Sequence, residues 1–479
     1  MGLRSERGSI LLAMMVSTGL VAIDSTIIAT AVPSIVRDLG SFSSFPWLFS
    51  IYLLASAVTV PVYSKLADTI GRKPLLLFGI AVFLLGSVLA GVAWSMPVLI
   101  VARAVQGLGA GAIGPIALTV IGDIYTLEER ARVQGYMASV WAISAVAGPT
   151  LGGLFAQFGI WRGIFWVNLP LGIAAGWLLM RHFHENVQRR THRIDYAGAA
   201  MLTGATTLLM LGILEGGDAW AWNSPASFAI FGVGAALLVA FVFIELRAAE
   251  PVLPLSLFRR RIVTSTTLLG FGVGMGIAGL TAFIPTYLEV GTGAPPVVAG
   301  LALATFTIGW PLAAATAGRL YLRWGFRRIS ILGGIVLVGG GTVLALLGHS
   351  PSVVSVAVVC FFIGMGFGYA AVPSLVAVQS SVDWSERGVV TGSNMFARSM
   401  GQSLGAAVLG AIANAIIFDL GGDAHDPHTI VVASTAVFAA VAVIAVGILA
   451  AAIVMPRRVE LAVARSGSGG NPENLPDAA

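Results

Sequence analysis

The chain consists mainly of long apolar runs separated by short polar stretches. Most runs contain about the 20 residues that an α-helix needs to cross the hydrocarbon core of a bilayer. The first run carries Asp24 at its middle and is too long for the core of a removable signal peptide. The pattern therefore predicts an all-α polytopic membrane protein with fourteen transmembrane helices, at residues 10–32, 45–63, 74–94, 97–121, 133–157, 161–180, 196–214, 226–244, 263–288, 297–318, 329–348, 352–379, 389–417 and 430–455.

The composition excludes several classes of protein. Of the 479 residues, 57% are hydrophobic and only 10% are charged, whereas a soluble domain has about 25% charged residues. A soluble enzyme, a nucleic-acid-binding protein and a disordered chain are therefore excluded. The single cysteine, Cys360, excludes a disulfide framework and a cysteine-based zinc site, and the six histidines form no metal-binding motif. We expect no metal and no bound cofactor.

The basic residues predict the orientation of the chain in the membrane. There are 27 Lys and Arg residues, and the formal net charge is +5. If the N-terminus is cytoplasmic, Arg37 and Arg162 fall outside, Arg103 and Arg398 fall within spans, and the other 23 (27 − 2 − 2) fall on the inner side. This asymmetry follows the positive-inside rule. It predicts a multi-pass protein of the cytoplasmic (inner) membrane, with both termini cytoplasmic and with lipid rather than nucleic acid as its partner.

Two short motifs are typical of enzymes in other settings. The glycines within 107–112 resemble a dinucleotide-binding fingerprint, and residues 401–405 match the G-x-S-x-G nucleophile elbow. Both motifs require a strand before a helix in a soluble domain, and both lie inside apolar spans here. A membrane scaffold or lipid-modifying enzyme is the alternative from a different class, but the chain offers no catalytic cluster of His, Asp, Glu and Ser to support it.

Charged residues within the spans are candidates for function, because a charge in the bilayer core is costly. Asp24 lies about ten residues from either end of the first span, and Arg103 lies early in the fourth. Desolvation favours the protonated form of such an acid, so Asp24 either exchanges protons or forms a permanent pair with a cation or hydroxyl. We expect a proton-coupling set of Asp24, Arg103 as the group that tunes it, and the acids Asp123 and Glu289 near span ends.

The turn between the second and third spans combines a glycine with opposite charges. Gly71 permits a tight turn, and Arg72 and Lys73 mark the cytoplasmic side. Asp68 can face an arginine or the N-terminus of a neighbouring helix, where the helix dipole stabilises an acid by about 0.3–1 kcal/mol. An acid that is paired in only one conformation acts as a latch. We therefore expect Asp68, Gly71, Arg72 and Lys73 to form a conformational latch.

This turn, residues 64–74, resembles motif A of the major facilitator superfamily, except that its first glycine is Ser64 here. A weaker copy without the acid occurs at 318–328. Two copies imply the two six-helix halves of that superfamily. Their separation of 254 residues (318 − 64) is too long for six helices and fits eight. The resemblance thus implies a major facilitator fold of two six-helix bundles with two extra linking helices, the seventh and eighth spans.

Further segments are similar to the same superfamily. Residues 99–109 resemble its motif B, and residues 144–153 resemble motif C, which the superfamily associates with antiporters, with Ser144 in place of the opening glycine. Residues 22–33 and 215–222 resemble its fourteen-helix drug:proton antiporter branch. From the residues alone, motif C is equally consistent with helix packing and a proline bend. The antiporter residues carried over are Gly148, Pro149, Gly152 and Gly153.

The resemblance also gives a division of the chain into parts. The N-terminal six-helix bundle covers 8–180, and the cytoplasmic linkers with the two extra helices cover 181–261. The C-terminal bundle covers 262–455, and 456–479 has the composition of a disordered cytoplasmic tail.

Together these features predict a proton-coupled exporter (antiporter) of hydrophobic or amphipathic small molecules, of the multidrug-efflux type, that works by alternating access. We expect a monomer with no cofactor besides the coupling proton. The alternative is an exporter of a lipid, siderophore or metabolite that works with an accessory periplasmic or lipoprotein partner. The candidates for the substrate cavity are Gln106, Trp141, Phe271, Phe306, Trp310, Tyr369 and Arg398.

Overall fold

The chain is almost wholly α-helical in a computed structural model that describes residues 6–39, 47–185, 195–216, 220–248, 255–347, 352–420 and 427–457. A helix satisfies its own backbone hydrogen bonds, as the lipid core requires. The helices are α1 Glu6–Leu39, α2 Trp47–Ile70, α3 Arg72–Gly91, α4 Met96–Ile124, α5 Leu127–Gln157, α6 Gly163–Trp166, α7 Asn168–His182, α8 Tyr196–Glu215, α9 Pro225–Glu245, α10 Arg261–Thr292, α11 Pro296–Trp324, α12 Phe326–Leu346, α13 Val353–Ser380, α14 Arg387–Asp419 and α15 Pro427–Val454.

The predicted all-α membrane fold is confirmed. Within the described ranges, 13 helical segments are long and apolar enough to span a membrane, and a shorter apolar helix, Ala197–Ile213, lies within α8. These segments account for the fourteen predicted spans. α6 and α7 form the sixth span together, because Gly163–His182 is one apolar segment. The two extra spans are α8 and α9, and α10–α15 are the ninth to fourteenth.

Local sequence sets where several helices begin. α5 starts with a capping box, in which the Thr126 hydroxyl accepts from the Glu129 N–H and the Glu129 carboxylate accepts from the Thr126 N–H. The Asp195 carboxylate caps α8 by accepting from the Gly198 N–H at 2.8 Å. Ser224 caps α9, whose first residue is Pro225. These caps satisfy donors that a helix start leaves unpaired.

Buried apolar side chains form separate cores in the two halves of the chain. The cores of α1–α7 include Leu20, Phe83, Ile113 and Phe165. The core of α10–α15 includes Val273, Phe367 and Phe438. The region between the halves contains α8 and α9, and the predicted tail at 456–479 lies outside the described residues beyond Arg457.

The two copies of the predicted turn have the same backbone conformation. Gly71 joins α2 to α3 with φ 103° and ψ 155°, and Gly325 joins α11 to α12 with φ 85° and ψ 155°. A positive φ of this kind favours glycine. The repeat that the sequence suggests is therefore present in the backbone. We call the end of the molecule that carries these two turns the turn end.

Candidate functional site

A buried acid–cation pair lies inside the first bundle. Asp24 of α1 and Arg103 of α4 are each 1% exposed, and Arg103 Nη1 lies 2.5 Å from Asp24 Oδ2. The Gln106 amide donates to Asp24 Oδ1 at 3.1 Å, and the Asn168 amide of α7 donates to the same oxygen at 2.8 Å. Both amides also donate to the Ser87 hydroxyl of α3. Both oxygens of Asp24 are thus satisfied, and we call these five residues the Asp24 cluster.

Arg103 is held by more than its ion pair. Its Nε donates to the Leu48 carbonyl at 3.1 Å, and Nη1 donates to the Gln106 amide oxygen at 2.9 Å. The guanidinium carbon lies 4.1 Å from the centre of the Tyr52 ring, an attractive cation–π geometry. Gln106, a sequence candidate for the substrate cavity, is therefore part of the Asp24 cluster. Arg103 keeps three sources of support that do not depend on the charge of Asp24.

Motif C packs against the turn of α1 that follows Asp24. A Cβ on Gly148 would overlap the Thr26 side chain, so glycine lets α5 approach α1 closely there. The Thr26 hydroxyl donates to the Ser144 carbonyl at 3.0 Å. A shift of α5 would therefore displace the backbone beside Asp24. Of the other motif residues, Gly152 is buried, Gly153 has open space beside it, and Pro149 lies inside α5.

The predicted latch acid joins the two bundles at the turn end. The Asp68 carboxylate of α2 accepts from the backbone N–H of Gly388 at 3.2 Å and of Val389 at 3.0 Å, in the first turn of α14. Arg72 Nη2 lies 2.6 Å from Asp68 Oδ1. A Cβ on Gly388 would lie 2.5 Å from that oxygen, so glycine makes room for the acid. Asp68 thus caps a helix of the other bundle, where a negative charge is favourable.

Arg72 crosses the same boundary. It is 1% exposed, and its guanidinium carbon lies 3.6 Å from the centre of the Trp384 ring. Its Nη2 also donates to the Trp384 carbonyl at 3.1 Å. Its Nε lies 3.1 Å from Asp123 Oδ2. One guanidinium therefore ties the end of α4 and the start of α3 to the segment that precedes α14.

Asp123 belongs to this cluster and not to the Asp24 cluster. Its second oxygen lies 3.1 Å from Arg387 Nη1. It is 20 residues beyond Arg103 on α4 (123 − 103), a separation of about 30 Å along a helix. The structure therefore does not bring Asp123 together with Asp24. Asp68, Arg72, Asp123 and Arg387 form an alternating group of four charges, which we call the latch cluster.

Other polar contacts between the bundles lie at the same end. Arg130 Nη1 donates to the Ser380 hydroxyl at 3.1 Å, and burial lowers the pKa of Arg130 to about 10, so that it stays charged at neutral pH. The Tyr321 hydroxyl donates to the Leu127 carbonyl at 3.4 Å. In the described part of the chain, the turn end is therefore closed by polar contacts.

The remaining latch residues fix the start of α3. Gly71 provides the turn, and the Glu185 carboxylate accepts from the N–H groups of Arg72 and Lys73, each at 2.9 Å. The Lys73 ammonium donates to the Met180 carbonyl at 3.1 Å. Lys73 therefore holds α3 to the end of α7, and among the described residues it makes no hydrogen bond or ion pair with the other bundle.

Ser64, the departure from motif A, is accommodated by a glycine on the facing helix. Ser64 is 1% exposed, and a Cβ on Gly392 of α14 would lie 2.5 Å from the Ser64 Cβ. This chain has Ser64 on α2 where motif A has its first glycine, and a glycine on α14, Gly392, lies at the same contact. The close contact of α2 and α14 is retained by exchanging which helix supplies the small residue.

Gly392→Ala should therefore reduce the transport that the resemblance implies by about tenfold, because overpacking a close contact costs about 1–3 kcal/mol. Ser64→Gly in the same chain should restore most of the rate by removing the side chain that the new methyl meets. Gly410→Ala is the matched control on α14, since nothing lies within 4 Å of a Cβ there. The measurement is the transport rate per reconstituted protein. An unaffected Gly392→Ala variant, or no recovery in the double variant, would contradict this packing argument.

The other sequence candidates lie in different surroundings. Glu289 is half-buried near the end of α10 and has no hydrogen bond or ion pair with the described residues. Trp141 is 44% exposed on α5.

Phe306 and Trp310 pack around Phe367 in the second core. Of the rest, Phe271 and Arg398 are half-buried, and the half-buried Tyr369 hydrogen-bonds to Thr316 at 2.8 Å.

The sequence did not indicate Asn168 and Ser87 of the Asp24 cluster, Arg387 of the latch cluster, or the residues of the other bundle that Asp68 and Arg72 contact. Asn168 and Ser87 carry no charge, and the only signal was a lone amide inside an apolar span. Trp384 and Gly388 lie more than 300 residues from Arg72 and Asp68 in the chain. No local pattern in the sequence indicates those partners.

The fold and these two clusters define a secondary-transporter type of membrane protein, with two helical bundles, an ion pair buried in one bundle and a polar contact between the two. Residues 14–406 match the family described as the Major Facilitator Superfamily. The chain belongs to the major facilitator superfamily, a family of transporters and not of enzymes.

Its relatives in sequence include transporters from bacteria and fungi. The chain is 33% identical over 414 residues to the Multidrug transporter protein MdtP of Bacillus subtilis (strain 168), covering 86% of this chain and 76% of the relative. It is 32% identical over 407 residues to Multidrug resistance protein 3 of the same bacterium, covering 84% and 79%. It is 32% identical over 417 residues to Efflux pump FUS6 of Gibberella moniliformis, covering 85% and 75%.

Solved structures share the fold at low sequence identity. The human organic anion transporter MFSD10 (TETRAN) superposes with a TM-score of 0.65 at 13% identity, covering 92% of this chain and 99% of that one. A bacterial homologue of the iron transporter ferroportin, in its outward-facing state, gives a TM-score of 0.61 at 14% identity, covering 92% and 98%. These similarities establish the major facilitator fold.

Proposed function

We propose that this protein is a proton-coupled exporter of hydrophobic or amphipathic small molecules that works by alternating access. The observation that carries the proposal is Asp24, a buried acid in the middle of a membrane span whose carboxylate is paired with Arg103 at 2.5 Å. The names of the bacterial and fungal relatives support export of drug-like molecules.

The Asp24 cluster supports proton exchange because Arg103 has other partners. When Asp24 takes up a proton, its charge is lost, but the Leu48 carbonyl, the Gln106 oxygen and the Tyr52 ring still hold the guanidinium. The Tyr52 hydroxyl and Asn168 Oδ1 are buried without a hydrogen-bond partner among the described residues. Each offers a place for a water that carries the proton.

The latch cluster supports alternating access. The basic residues assign the turn end to the cytoplasm, so the described contacts close the cytoplasmic side. In the proposed cycle, Asp24 takes up a proton in the outward state as substrate leaves. In the inward state the latch is broken, and Asp24 releases the proton as substrate enters.

Reconstitution in liposomes tests the proposed function. A pH difference should drive accumulation of an amphipathic fluorescent probe, and a pH-sensitive dye should report proton movement in the opposite direction. A protonophore should abolish both signals. Accumulation that persists after the proton gradient and the membrane potential are collapsed would exclude proton coupling.

The proposed orientation predicts which sites are reached from outside the cell. With Cys360 replaced, a cysteine at Asn223, before α9, should react with an impermeant maleimide in intact cells, whereas one at Arg259, before α10, should react only after lysis. Both positions are exposed in the structure. Labelling at position 259 in intact cells would show that the proposed orientation is wrong.

A further inference from the structure

Arg398 is a cation near mid-membrane depth without a counter-ion among the described residues. It lies 11 residues after α14 begins (398 − 387), or about 16 Å along the helix, in a hydrocarbon core of about 30 Å. Its side chain is half-buried and makes no hydrogen bond or ion pair with the described residues. A charge at this depth is costly unless it faces a wet cavity or an anion.

The second bundle offers no acid at this depth among its described residues. Its four acids there, Glu289, Asp383, Glu386 and Asp419, all lie within about one turn of a helix end. Glu289 is 15 residues beyond Gly274, the α10 residue that meets Arg398 (289 − 274), or about 22 Å along α10.

Asp24, in the first bundle, is not available either. Both of its oxygens are already occupied, by Arg103 and by the amides of Gln106 and Asn168. The Asp24–Arg103 pair is neutral overall. The positive charge of Arg398 is therefore not balanced by any described acid at this depth.

The packing of α14 shows which neighbouring helices lie on either side of Arg398. A Cβ on Gly274 would overlap the Arg398 carbonyl, so the backbone of α14 lies directly on α10 at this level. Gly401 also lies on α10, against the Phe271 carbonyl, whereas the end of the Met395 side chain contacts Gly114 of α4 in the first bundle. At 3.6 residues per turn, Arg398 and Gln402 lie between these two contacts. Gln402 is exposed although it is in an apolar helix.

We propose that Arg398, with Gln402, binds an anionic group of the transported molecule, namely a carboxylate or similar oxyanion on an amphipathic body. A guanidinium can donate two parallel hydrogen bonds to such a group, and the amide one turn along adds a donor. Met395 lies about one turn before Arg398 on α14, and Phe271 lies about one turn before Gly274 on α10, so both helices carry an apolar side chain close to this level. The inference rests on the proposed function only in taking the space between the bundles as the substrate path.

A phospholipid phosphate has the same chemistry as a substrate oxyanion. It lies at the edge of the hydrocarbon core, about 15 Å from the mid-plane, whereas Arg398 lies near that plane. We therefore assign the site to the substrate and let the experiment distinguish the two sources.

Equilibrium binding of matched probes tests the assignment without any gradient. Pyrenebutyrate carries a carboxylate, and pyrenebutanol has the same apolar body without charge. Both are titrated by fluorescence against the full-length protein in phosphatidylcholine nanodiscs. Arg398→Gln should weaken pyrenebutyrate binding by about tenfold or more, because a charge-assisted bidentate contact is lost, and should change pyrenebutanol binding by less than about twofold. Arg398→Lys should fall between the two.

The control for net charge is Arg323→Gln, which removes an exposed arginine at the end of α11 and should leave both probes unaffected. Unchanged pyrenebutyrate binding in Arg398→Gln, or an equal loss of both probes, would overturn the assignment. Displacement of pyrenebutyrate by phosphatidylglycerol in the parent but not in Arg398→Gln would assign the site to lipid and overturn the substrate source. Failure of proton-driven transport by the parent would refute the proposed function and leave the binding result intact.

Discussion

Asp24→Asn should abolish transport driven by a pH difference while substrate binding and exchange down a gradient survive. Asparagine keeps the shape of the protonated acid but cannot titrate. The cluster already contains two amides that donate to this side chain, and Arg103 keeps its contacts with Leu48, Gln106 and Tyr52. The variant therefore resembles the protonated state of the parent and cannot leave it.

The size of the effect follows from the driving force. One proton moving down a pH difference of one unit releases about 1.4 kcal/mol, enough for a substrate gradient of about tenfold. A membrane potential of about 100 mV adds roughly 2.3 kcal/mol for each net charge moved. In liposomes, the parent should accumulate the probe when a pH difference is imposed, and Asp24→Asn should only equilibrate it.

Asp38→Asn is the matched control, since it makes the same change on the same helix. Asp38 also pairs with an arginine, Arg162 at 2.8 Å, but both side chains are exposed, at 49% and 37%. Hydrogen bonds from Arg162 and Trp161 hold the pKa of Asp38 below its usual range, so it stays ionised and carries no proton near neutral pH. We expect this variant to transport at nearly the parental rate.

A second variant distinguishes loss of proton coupling from loss of folding. Removing one partner of a buried ion pair costs about 3–5 kcal/mol, whereas replacing both can be nearly neutral. Asp24→Asn with Arg103→Met removes both charges and should fold without restoring uphill transport. If either well-folded variant accumulates the probe against its gradient, the coupling site lies elsewhere, and Asp123 and Glu289 are the next acids to test.

The pairing of Asp24 with Arg103 could be foreseen from the sequence because charges within the spans are rare. The first bundle has one acid and one arginine deep within its spans, and the cost of burying either alone favours contact between them. The turn at Gly71 could be foreseen for a similar reason, since a positive φ favours glycine. In both cases one strong physical constraint acts on a few residues.

The partners that the sequence did not indicate are set by packing between distant helices. Asn168 reaches Asp24 only because α7 packs against α1, and Gly388 receives Asp68 only because α14 of the other bundle meets α2. The sequence did not indicate that Asp123 pairs with Arg72 and Arg387, because one charge near a span end does not reveal which neighbouring helix supplies its partner. An uncharged amide or a glycine gives still less signal, although each decides the local geometry.

Asp68→Asn should reduce the transport rate by at least about tenfold while expression stays nearly normal. Asp68 accepts hydrogen bonds from two backbone N–H groups of α14 and from Arg72. An asparagine has one acceptor oxygen and an NH₂ group that would face one of these donors, and it loses the charge that suits a helix N-terminus. Removing one partner from a buried ion pair costs about 3–5 kcal/mol, and this loss falls on the state in which the turn end is closed.

The predicted shift can be measured as a distance across the turn end. Spin labels at the exposed positions Pro74 and Arg323, one in each bundle, with Cys360 replaced, should show a larger fraction of long distances in Asp68→Asn than in the parent. Arg260→Gln is the matched control, because it breaks a partly exposed ion pair between the residue before α10 and Glu386, which does not reach the first bundle, and such surface pairs contribute only about 0–1 kcal/mol. It should leave both the rate and the distances unchanged. A well-expressed Asp68→Asn protein with the parental rate and distances would show that the contact of Asp68 with α14 does not hold the turn end closed.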